Sequence, residues 1–301
     1  MNKLMRDSFS TYHPIVNVVY FVSVLAVTMS CIHPVVQLAN LVCAALYAIL
    51  LKGKRAVLLC LRVGLPIIVL AAVMNPLFNH AGVTILGYFP NGNPLTLESI
   101  LYGLAAGCML ATVFLWFLCV QEVVTTDKLI YLFGRVIPAT ALILSMTLRL
   151  IPRFRIQLVD ITEAQRMLGR DISSGNIIRR MRNAITMLSV LITWALEDAI
   201  ETADSMRSRG YGLEGRTAFS MYTMEARDKV VLIWLLGIGL ILVIYGGICK
   251  GLEFRYFPSV FMAPWSTMTV LLQLLNLVLA ATPVIISWKE NNQWHSLHSR
   301  T

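Results

Sequence analysis

Charged residues are scarce in this sequence of 301 residues: they make up 14% of it, whereas hydrophobic residues make up 57%. A soluble domain carries about 25% charged residues, so this chain has too few charges to cover its apolar surface. Its apolar residues lie in long uninterrupted runs and not in the periodic faces of amphipathic elements. This excludes a soluble enzyme and an interfacial amphipathic protein. We therefore expect an all-α integral membrane protein.

The sequence also lacks the motifs of enzymes and channels. It contains no His-Glu-x-x-His, no glycine-rich nucleotide loop and no P-loop. The five histidines are scattered, Glu98 is the one acid at the edge of a predicted span, and no polar stripe lines a pore. The six cysteines have no paired spacing and are typical of small packing residues. We expect no catalytic residue, no metal site and no cofactor bound directly by this chain.

Six apolar runs are long enough to cross a membrane as helices. They divide the chain into a bundle of four spans over residues 1–120, a large cytoplasmic module of long helices over residues 121–229, and a hairpin of two spans with a short tail over residues 230–301. The predicted spans are residues 15–32, 35–51, 56–74, 99–120, 230–248 and 266–288.

The distribution of Lys and Arg predicts the orientation. With the N-terminus in the cytoplasm, 23 of the 25 basic residues lie on the inner side, and only Lys250 and Arg255 lie outside. The positive-inside rule therefore places both termini in the cytoplasm. The formal net charge of +9 is explained by this distribution, so we expect no nucleic-acid partner.

The central module contains two apolar stretches, residues 139–151 and 184–196, that are too short to span alone. Crossing would place seven arginines outside, so we expect both stretches to be buried against the bundle or to lie at the inner interface. A helix is predicted from Pro152 to about Arg170, with residues 171–176 ending it.

A second long helix is predicted from Ile177 to Arg209, and it carries an acidic stripe of Glu197, Glu201 and Asp204. The stripe either pairs with the arginine-rich helix before it or forms a solvated face. Gly210 suits the left-handed cap of this helix, which already explains its end structurally. The alternative is that the capped end presents the Arg209 guanidinium to a carboxylate or helix terminus of a partner.

At this point the chain resembles the transmembrane T component (EcfT) of energy-coupling factor transporters, the vitamin and metal-ion importers of the ABC class. The resemblance extends over most of the chain and is most specific in residues 194–199 and 205–212. The supporting motifs are His13-Pro14, Asn75-Pro76-Leu77-Phe78-Asn79, Gly134-Arg135-Val136-Ile137-Pro138, Leu148-Arg149-Leu150-Ile151-Pro152 and Glu163-Ala164-Gln165.

The resemblance implies a site. In that family each of two coupling helices ends in a short Ala-Arg-Gly-like motif whose arginine engages one of two ATPase subunits. The second motif corresponds to Ser208-Arg209-Gly210, and the first to Met167-Leu168-Gly169, where leucine replaces the arginine. Either Arg166 or Arg170 substitutes for it, or the contact is apolar.

The resemblance also implies partners and a location. Two ABC-type ATPases would bind ATP and Mg, a small membrane S component would bind the substrate, and the chain would lie in a bacterial or archaeal cytoplasmic membrane. This chain would be a non-catalytic subunit that transmits the motion of the ATPases to the S component.

Two rivals remain. A conventional ABC importer permease docks its ATPase through a Glu-Ala-Ala loop, which Glu163-Ala164-Gln165 and Gly169 match loosely. The Ile-x-Leu-Pro continuation of that loop is absent, with Arg179 at the isoleucine position. The second rival, an integral membrane enzyme, would need convergent polar residues near the bilayer, and the sequence does not show them.

Overall fold

The computed structural model describes residues 7–88, 90, 92–170, 176–213, 222–248, 252, 254–262 and 266–298. The chain divides into two compact units, one of residues 1–129 with 222–301 and the other of residues 130–221. The first unit contains most of the apolar helices, and the second contains two long helices of mixed composition. Each unit is described by itself below.

Ten α-helices account for most of the described residues. A 3₁₀ turn at Phe9–Thr11 precedes the first of them. One π-helical turn, Cys60–Gly64, joins the third helix to the fourth, and another, Leu242–Ile248, continues the ninth. The sixth helix contains the boundary between the units, which lies after Leu129. The helices are α1 (Pro14–Ser30), α2 (Pro34–Lys52), α3 (Lys54–Leu59), α4 (Leu65–Phe78), α5 (Leu97–Val123), α6 (Thr126–Val136), α7 (Pro138–Met167), α8 (Ile177–Ser208), α9 (Ala226–Ile241) and α10 (Thr267–His298).

The prediction of an all-α membrane protein is confirmed. Six segments are long and apolar enough to cross a membrane: α2, α3 with α4, α5, α8, α9 with its π turn, and α10. Five of them correspond to predicted spans. The predicted first span is a helix of 17 residues, α1, which at 1.5 Å per residue is about 26 Å long, at the lower limit for a spanning helix. The sixth segment is α8, the least apolar of the set, whose apolar residues 184–196 are predicted from the arginine distribution to be buried against the bundle or to lie at the inner interface.

The first two helices begin with the same dipeptide, histidine followed by proline. The His13 Nδ1 accepts a hydrogen bond from the backbone N–H of Ile15 at 3.3 Å, and the His33 Nδ1 accepts one from Val35 at 3.2 Å. Proline at the first helical position has no N–H to satisfy and a backbone already set for the helix. Each pair therefore fixes a helix start.

Aromatic side chains form the core of the first unit near the N-terminal segment. Phe9 packs edge-on against Tyr20 with ring centroids 5.0 Å apart, and Tyr20 packs against Trp116 at 5.9 Å. All three side chains are fully buried. The turn before α1 is therefore an integral part of the bundle, because its Phe9 ring completes the core.

Two glycines bring α4 and α5 into close contact. A Cβ atom at Gly103 would lie 2.8 Å from the backbone oxygen of Ala71, and one at Gly107 would lie 2.8 Å from the Cα of Ile68. The two glycines are four residues apart on one face of α5, so they let the helix backbones approach closely, as in the small-residue contacts typical of membrane helices.

Two short antiparallel hairpins lie at the end of the bundle opposite the N-terminal segment. Strand β1 (Ile85–Tyr88) pairs with β2 (Pro94–Thr96), and β3 (Phe254–Arg255) pairs with β4 (Phe261–Met262). In the first loop the Glu98 carboxylate accepts the backbone N–H of Thr84 at 3.1 and 3.2 Å. The acid at the edge of the span is thus a loop anchor.

The second unit consists mainly of α7 and α8, which pack antiparallel. Arg153 donates to Asp198 at 3.1 Å, and the rings of Phe154 and Trp194 pack edge-on at 5.7 Å. The predicted helix start at Pro152 is wrong, because Pro152 lies inside α7. Pro138 occupies the first turn instead, and a single interior proline interrupts the backbone bonding of a 30-residue helix without ending it.

Candidate functional site

The end of α8 is built by a glycine in the left-handed conformation. Arg209 follows the last helical residue with φ −82° and ψ 9°, and Gly210 has φ +75°. The N–H of Gly210 donates to the carbonyl of Arg207 at 3.0 Å, and the N–H of Tyr211 donates to that of Met206 at 3.0 Å. This pair of bonds defines a Schellman cap, which satisfies the last carbonyls and turns the chain away from the helix.

The end of α7 has the same geometry. Leu168 has φ −82° and ψ 6°, and Gly169 has φ +74°. The N–H of Gly169 donates to the carbonyl of Arg166 at 3.0 Å, and that of Arg170 donates to the carbonyl of Gln165 at 2.9 Å. The predicted extension to about Arg170 is therefore too long, because the left-handed glycine ends the helix at Met167. The predicted break at residues 171–176 lies largely outside the described residues.

The two predicted motifs are thus equivalent positions with different side chains. Leu168 occupies the place in its cap that Arg209 occupies in the other, and both side chains are exposed. Met167 and Leu168 are 87% and 69% exposed, so an apolar pair stands free at the end of α7. Arg166 and Arg170 lie on either side of this pair, one in the last turn and one after the glycine. The chain therefore presents one apolar and one cationic helix end.

The antiparallel arrangement directs these two ends to opposite sides of the α7–α8 contact. Along α7 the contacts run from Arg153 to Thr162, and along α8 they run in the reverse direction, from Asp198 to Met187. Each helix continues past the contact to its own capped end. A single small surface cannot therefore receive both ends.

The acidic side chain that joins the two helices is not in the predicted stripe. Glu197, Glu201 and Asp204 are exposed and form no ion pair with the side chains that the structure describes, so the stripe is a solvated face there. Asp198 makes the pair with Arg153 instead, and its side chain is only 18% exposed. Sequence reasoning overlooked it, although it lies four residues after Trp194, on the same helix face.

A buried lysine that the sequence analysis did not single out fixes the start of α6. The Lys128 Nζ donates to the backbone oxygens of Ser10 at 2.6 Å and Val123 at 2.8 Å. The Asn17 amide, in the orientation that satisfies both of its groups, accepts a third bond at 2.9 Å. Burial lowers the pKa of Lys128. This ammonium therefore acts as an anchor between the N-terminal turn and the end of α5.

The ends of α7 and α8 have the chemistry of a docking site. Within the parts of the chain that the structure describes, no group of three or more His, Cys, Asp or Glu side chains is placed to hold a metal ion. What the two ends offer is fixed backbone geometry, an exposed guanidinium and an exposed apolar pair. Features of this kind are typical of surfaces that bind proteins, and the docking role of these two ends stays a prediction.

Comparison with known proteins gives a family and several relatives. The sequence model of the family described as cobalt transport protein, CbiQ, matches residues 11–219, which is more than two thirds of the chain and includes both capped ends. Proteins named energy-coupling factor transporter transmembrane protein EcfT are similar to it. The one from Streptococcus thermophilus is 37% identical over 102 residues, 34% of this chain and 39% of that protein.

Two further relatives show the same pattern. The EcfT of Exiguobacterium sibiricum is 37% identical over 108 residues, 36% of this chain and 41% of that protein. EcfT 1 of Listeria monocytogenes is 30% identical over 179 residues, 54% of this chain and 65% of that protein. The chain thus spans from about two fifths to just under two thirds of the length of these relatives.

Proposed function

This chain belongs to the cobalt transport protein family CbiQ, and we propose that it is the transmembrane energy-coupling (T) subunit of an energy-coupling factor transporter. It would link ATP hydrolysis by two partner ATPases to substrate uptake through a membrane S component. The observation that carries the proposal is that α7 and α8 end in caps with the same backbone geometry, and both caps lie within the matched region. The names of the relatives support it.

Arg209 makes the contact at the end of α8. Its backbone is fixed by the cap and its side chain is exposed, so the guanidinium stands at a defined position. A planar guanidinium binds a carboxylate through two parallel hydrogen bonds. The proposed partner surface is therefore a groove on one ATPase that ends in a carboxylate or in the carbonyls of a helix terminus, with Ser208 and Gly210 forming the turn around it.

Leu168 makes the contact at the end of α7. Leu168 occupies the position equivalent to Arg209, which neither Arg166 nor Arg170 does. Met167 beside it is almost fully exposed. These positions support the apolar alternative, in which Leu168 enters a groove without a buried acid. Arg166 and Arg170 then lie at the rim of that contact, where charges add little affinity and mainly guide association.

The S component would bind the apolar faces of α7 and α8. Both helices expose large aliphatic side chains along their length, Ile143 and Ile156 in α7 and Ile185 and Ile200 in α8. ATP and Mg would be bound by the ATPases. The distribution of Lys and Arg supports cytoplasmic termini, and the bacterial origin of the relatives supports a bacterial or archaeal cytoplasmic membrane.

Co-purification tests the proposed function. The tagged chain, solubilised from its native membrane, should bring down two nucleotide-binding chains and one small hydrophobic protein in stable stoichiometry, and the isolated chain should show no ATP hydrolysis. Hydrolysis by the isolated chain, or recovery of a catalytically active chain without partners, would contradict the proposal.

Exchange of the two end residues tests their assignment. Leu168→Arg should weaken binding of the ATPase at the end of α7 at least tenfold, because an apolar groove does not pay for the desolvation of a guanidinium. Arg209→Leu is the matched exchange at the equivalent position and should weaken the other contact. Equal or tighter binding by Leu168→Arg would show that the first groove is acidic and that the apolar assignment is wrong.

A further inference from the structure

The N-terminal segment of residues 7–12 is fixed in the first unit by polar and apolar contacts. The Asp7 carboxylate accepts hydrogen bonds from the hydroxyls of Tyr47 in α2 and Ser287 in α10, each at 3.2 Å. The Phe9 ring is fully buried and packs on Tyr47 with ring centroids 6.4 Å apart. The segment is therefore anchored to α2 and α10 before the first long helix begins.

Both chain connections between the two units begin or end beside this segment. The chain leaves the first unit after Leu129, within α6, and it returns at Tyr222, shortly before α9. One basic side chain in the first turn of each helix contacts the segment, Lys128 in α6 and Arg227 in α9. The segment therefore meets the chain both where it leaves the unit and where it returns.

Lys128 joins the Ser10 end of the segment to α6. Its ammonium donates to the backbone oxygens of Ser10 and Val123 and to the side-chain oxygen of Asn17, so all of its N–H donors are used. The side chain is buried, which leaves water little access to these oxygens. Hydrogen bonds from a charged group are also stronger than those between neutral groups. Removal of the ammonium should therefore loosen the start of α6.

Arg227 joins the Tyr12 end of the segment to α9. Its guanidinium carbon lies 4.4 Å from the centroid of the buried Tyr12 ring, which is the geometry of a cation–π contact. Three carboxylates hold the guanidinium in this place, since oxygens of Glu225, Asp228 and Glu290 lie 3.7–3.9 Å from its nitrogens. Glu290 belongs to α10, so this contact joins the segment to α9 and α10 together.

The segment between these two contacts is stiffened by its own hydrogen bonds. The Ser10 hydroxyl donates to the backbone oxygen of Asp7, and the Thr11 hydroxyl donates to that of Ser8, each at 2.7 Å. We propose that residues 7–12 form an N-terminal clamp, which couples the start of α6 to the start of α9 so that neither connection loosens without the other. Two contacts on a flexible segment would respond separately, as independent sites do.

The clamp itself rests on contacts within the first unit. Its consequence for transport rests on the proposed function, in which motion of α7 and α8 drives uptake. Both of these helices lie in the chain between the two clamped connections. An intact clamp would pass their motion to the membrane helices, whereas a loose clamp would let the connections yield to it.

Amide hydrogen exchange in the full-length chain, purified in detergent, tests the clamp. Lys128→Met removes the ammonium and keeps an apolar chain, and it should speed exchange at residues 129–132 by about tenfold or more, as expected for the loss of hydrogen bonds to a charged group. Exchange at residues 229–232 of α9 should also rise, by roughly two- to fivefold, the size of a loosened cation–π contact. Unchanged exchange at residues 229–232 would show two independent contacts and overturn the clamp.

Tyr12→Leu is the reciprocal variant, because it removes the ring beneath Arg227. It should speed exchange at the start of α9 and also at residues 129–132 of α6. Combined with Lys128→Met, it should add less than the sum of the two separate effects, since both variants release the same segment. If Lys128→Met folds poorly, Tyr12→Leu decides the matter, and unchanged exchange at residues 129–132 would then refute the clamp.

Lys52→Met is the matched control. It removes a lysine that pairs with Glu122 of α5 at 2.8 Å, and not with the N-terminal segment. It should leave exchange at residues 229–232 as in the wild type. A rise there equal to that in Lys128→Met would mean a general loosening of the unit and would contradict the clamp.

Transport by the reconstituted complex tests the consequence of the clamp. Lys128→Met should lower substrate uptake per ATP hydrolysed without weakening ATPase binding, because neither capped end is changed. Unchanged uptake per ATP would refute the role of the clamp in transport. A chain that shows coupled exchange but binds no ATPase would keep the clamp and refute the T-subunit proposal instead, so the two failures are distinguishable.

Discussion

Replacement of Arg209 by alanine distinguishes two roles of this residue, one that only ends a helix and one that binds a partner. The Arg209 side chain is exposed and makes no hydrogen bond or ion pair with the described residues, and its backbone angles are ordinary for alanine. The cap itself depends on Gly210 and on backbone bonds that do not involve the side chain. Arg209→Ala should therefore lower the free energy of unfolding by less than about 1 kcal/mol, the size of an interaction with the helix dipole.

The loss on the partner side should be much larger. Truncation of a charge in a buried, hydrogen-bonded interface pair costs about 2–5 kcal/mol. At 1.4 kcal/mol per factor of ten, this corresponds to a loss of affinity of roughly 30-fold to more than a thousandfold. Arg209→Lys should recover only part of it, because a point charge lacks the planar fork.

The assay compares binding of the purified ATPase subunits to the wild-type and variant chains, with the thermal unfolding midpoint of each chain measured in parallel. Arg207→Ala is the matched control, since it removes the same charge from the same turn about 200° around the helix. If Arg209→Ala binds as the wild type does, or if both variants lose binding in proportion to a lowered unfolding midpoint, the docking role is refuted.

Three further predictions concern the membrane unit. Single cysteines introduced at Gly92 and Thr126 should differ in their reaction with an impermeant thiol reagent in intact cells, which should label only the cysteine at position 92. Labelling at position 126 would contradict cytoplasmic termini. Gly107→Leu should destabilise the chain by about 1–3 kcal/mol through overpacking against α4. Gly237→Leu, at a position with open space, should not do so, and equal unfolding midpoints would contradict the close packing. Burial raises the pKa of Asp7 above 3.8, so the folded chain holds this proton more tightly and stability falls as the pH rises through the raised pKa. Asp7→Asn should remove that fall in the unfolding midpoint, and an unchanged pH profile would contradict it.

The sequence was sufficient to predict most of the helices, because long apolar runs and terminal glycines have local causes, but it did not predict α6. The predicted α8 of residues 177–209 differs from the observed helix by one residue, and the cap at Gly210 was foreseen. The corresponding cap at Gly169 was not predicted, because the polar residues 171–176 beyond it are a stronger signal for a helix end. The predicted helix start at Pro152 was wrong because a proline is typical both of a helix start and of a kink inside a helix.

Contacts between distant residues could not be read from the sequence. The pairing of Arg153 with Asp198, the anchoring of Lys128 and the contact of Arg227 with Tyr12 each depend on which elements become neighbours. The equivalence of the two candidate docking ends was available only through a resemblance. The structure added their common backbone geometry, in which Leu168 and Arg209 occupy the same position of the two caps.

The antiparallel contact between α7 and α8 has a mechanical consequence. Leu168 lies six residues beyond Thr162 and Arg209 lies 11 residues beyond Asp198, so the two capped ends stand about 9 Å and about 17 Å past the ends of the contact. The pair is thus a lever with two unequal arms that extend in opposite directions. A rotation of about 10° around the middle of the contact, which lies about 16 Å from Leu168 and about 25 Å from Arg209, moves these ends by about 3 Å and about 4 Å, one forward and one back. Partner surfaces that approach each other by a few ångströms would therefore tilt the pair rather than push it along the membrane.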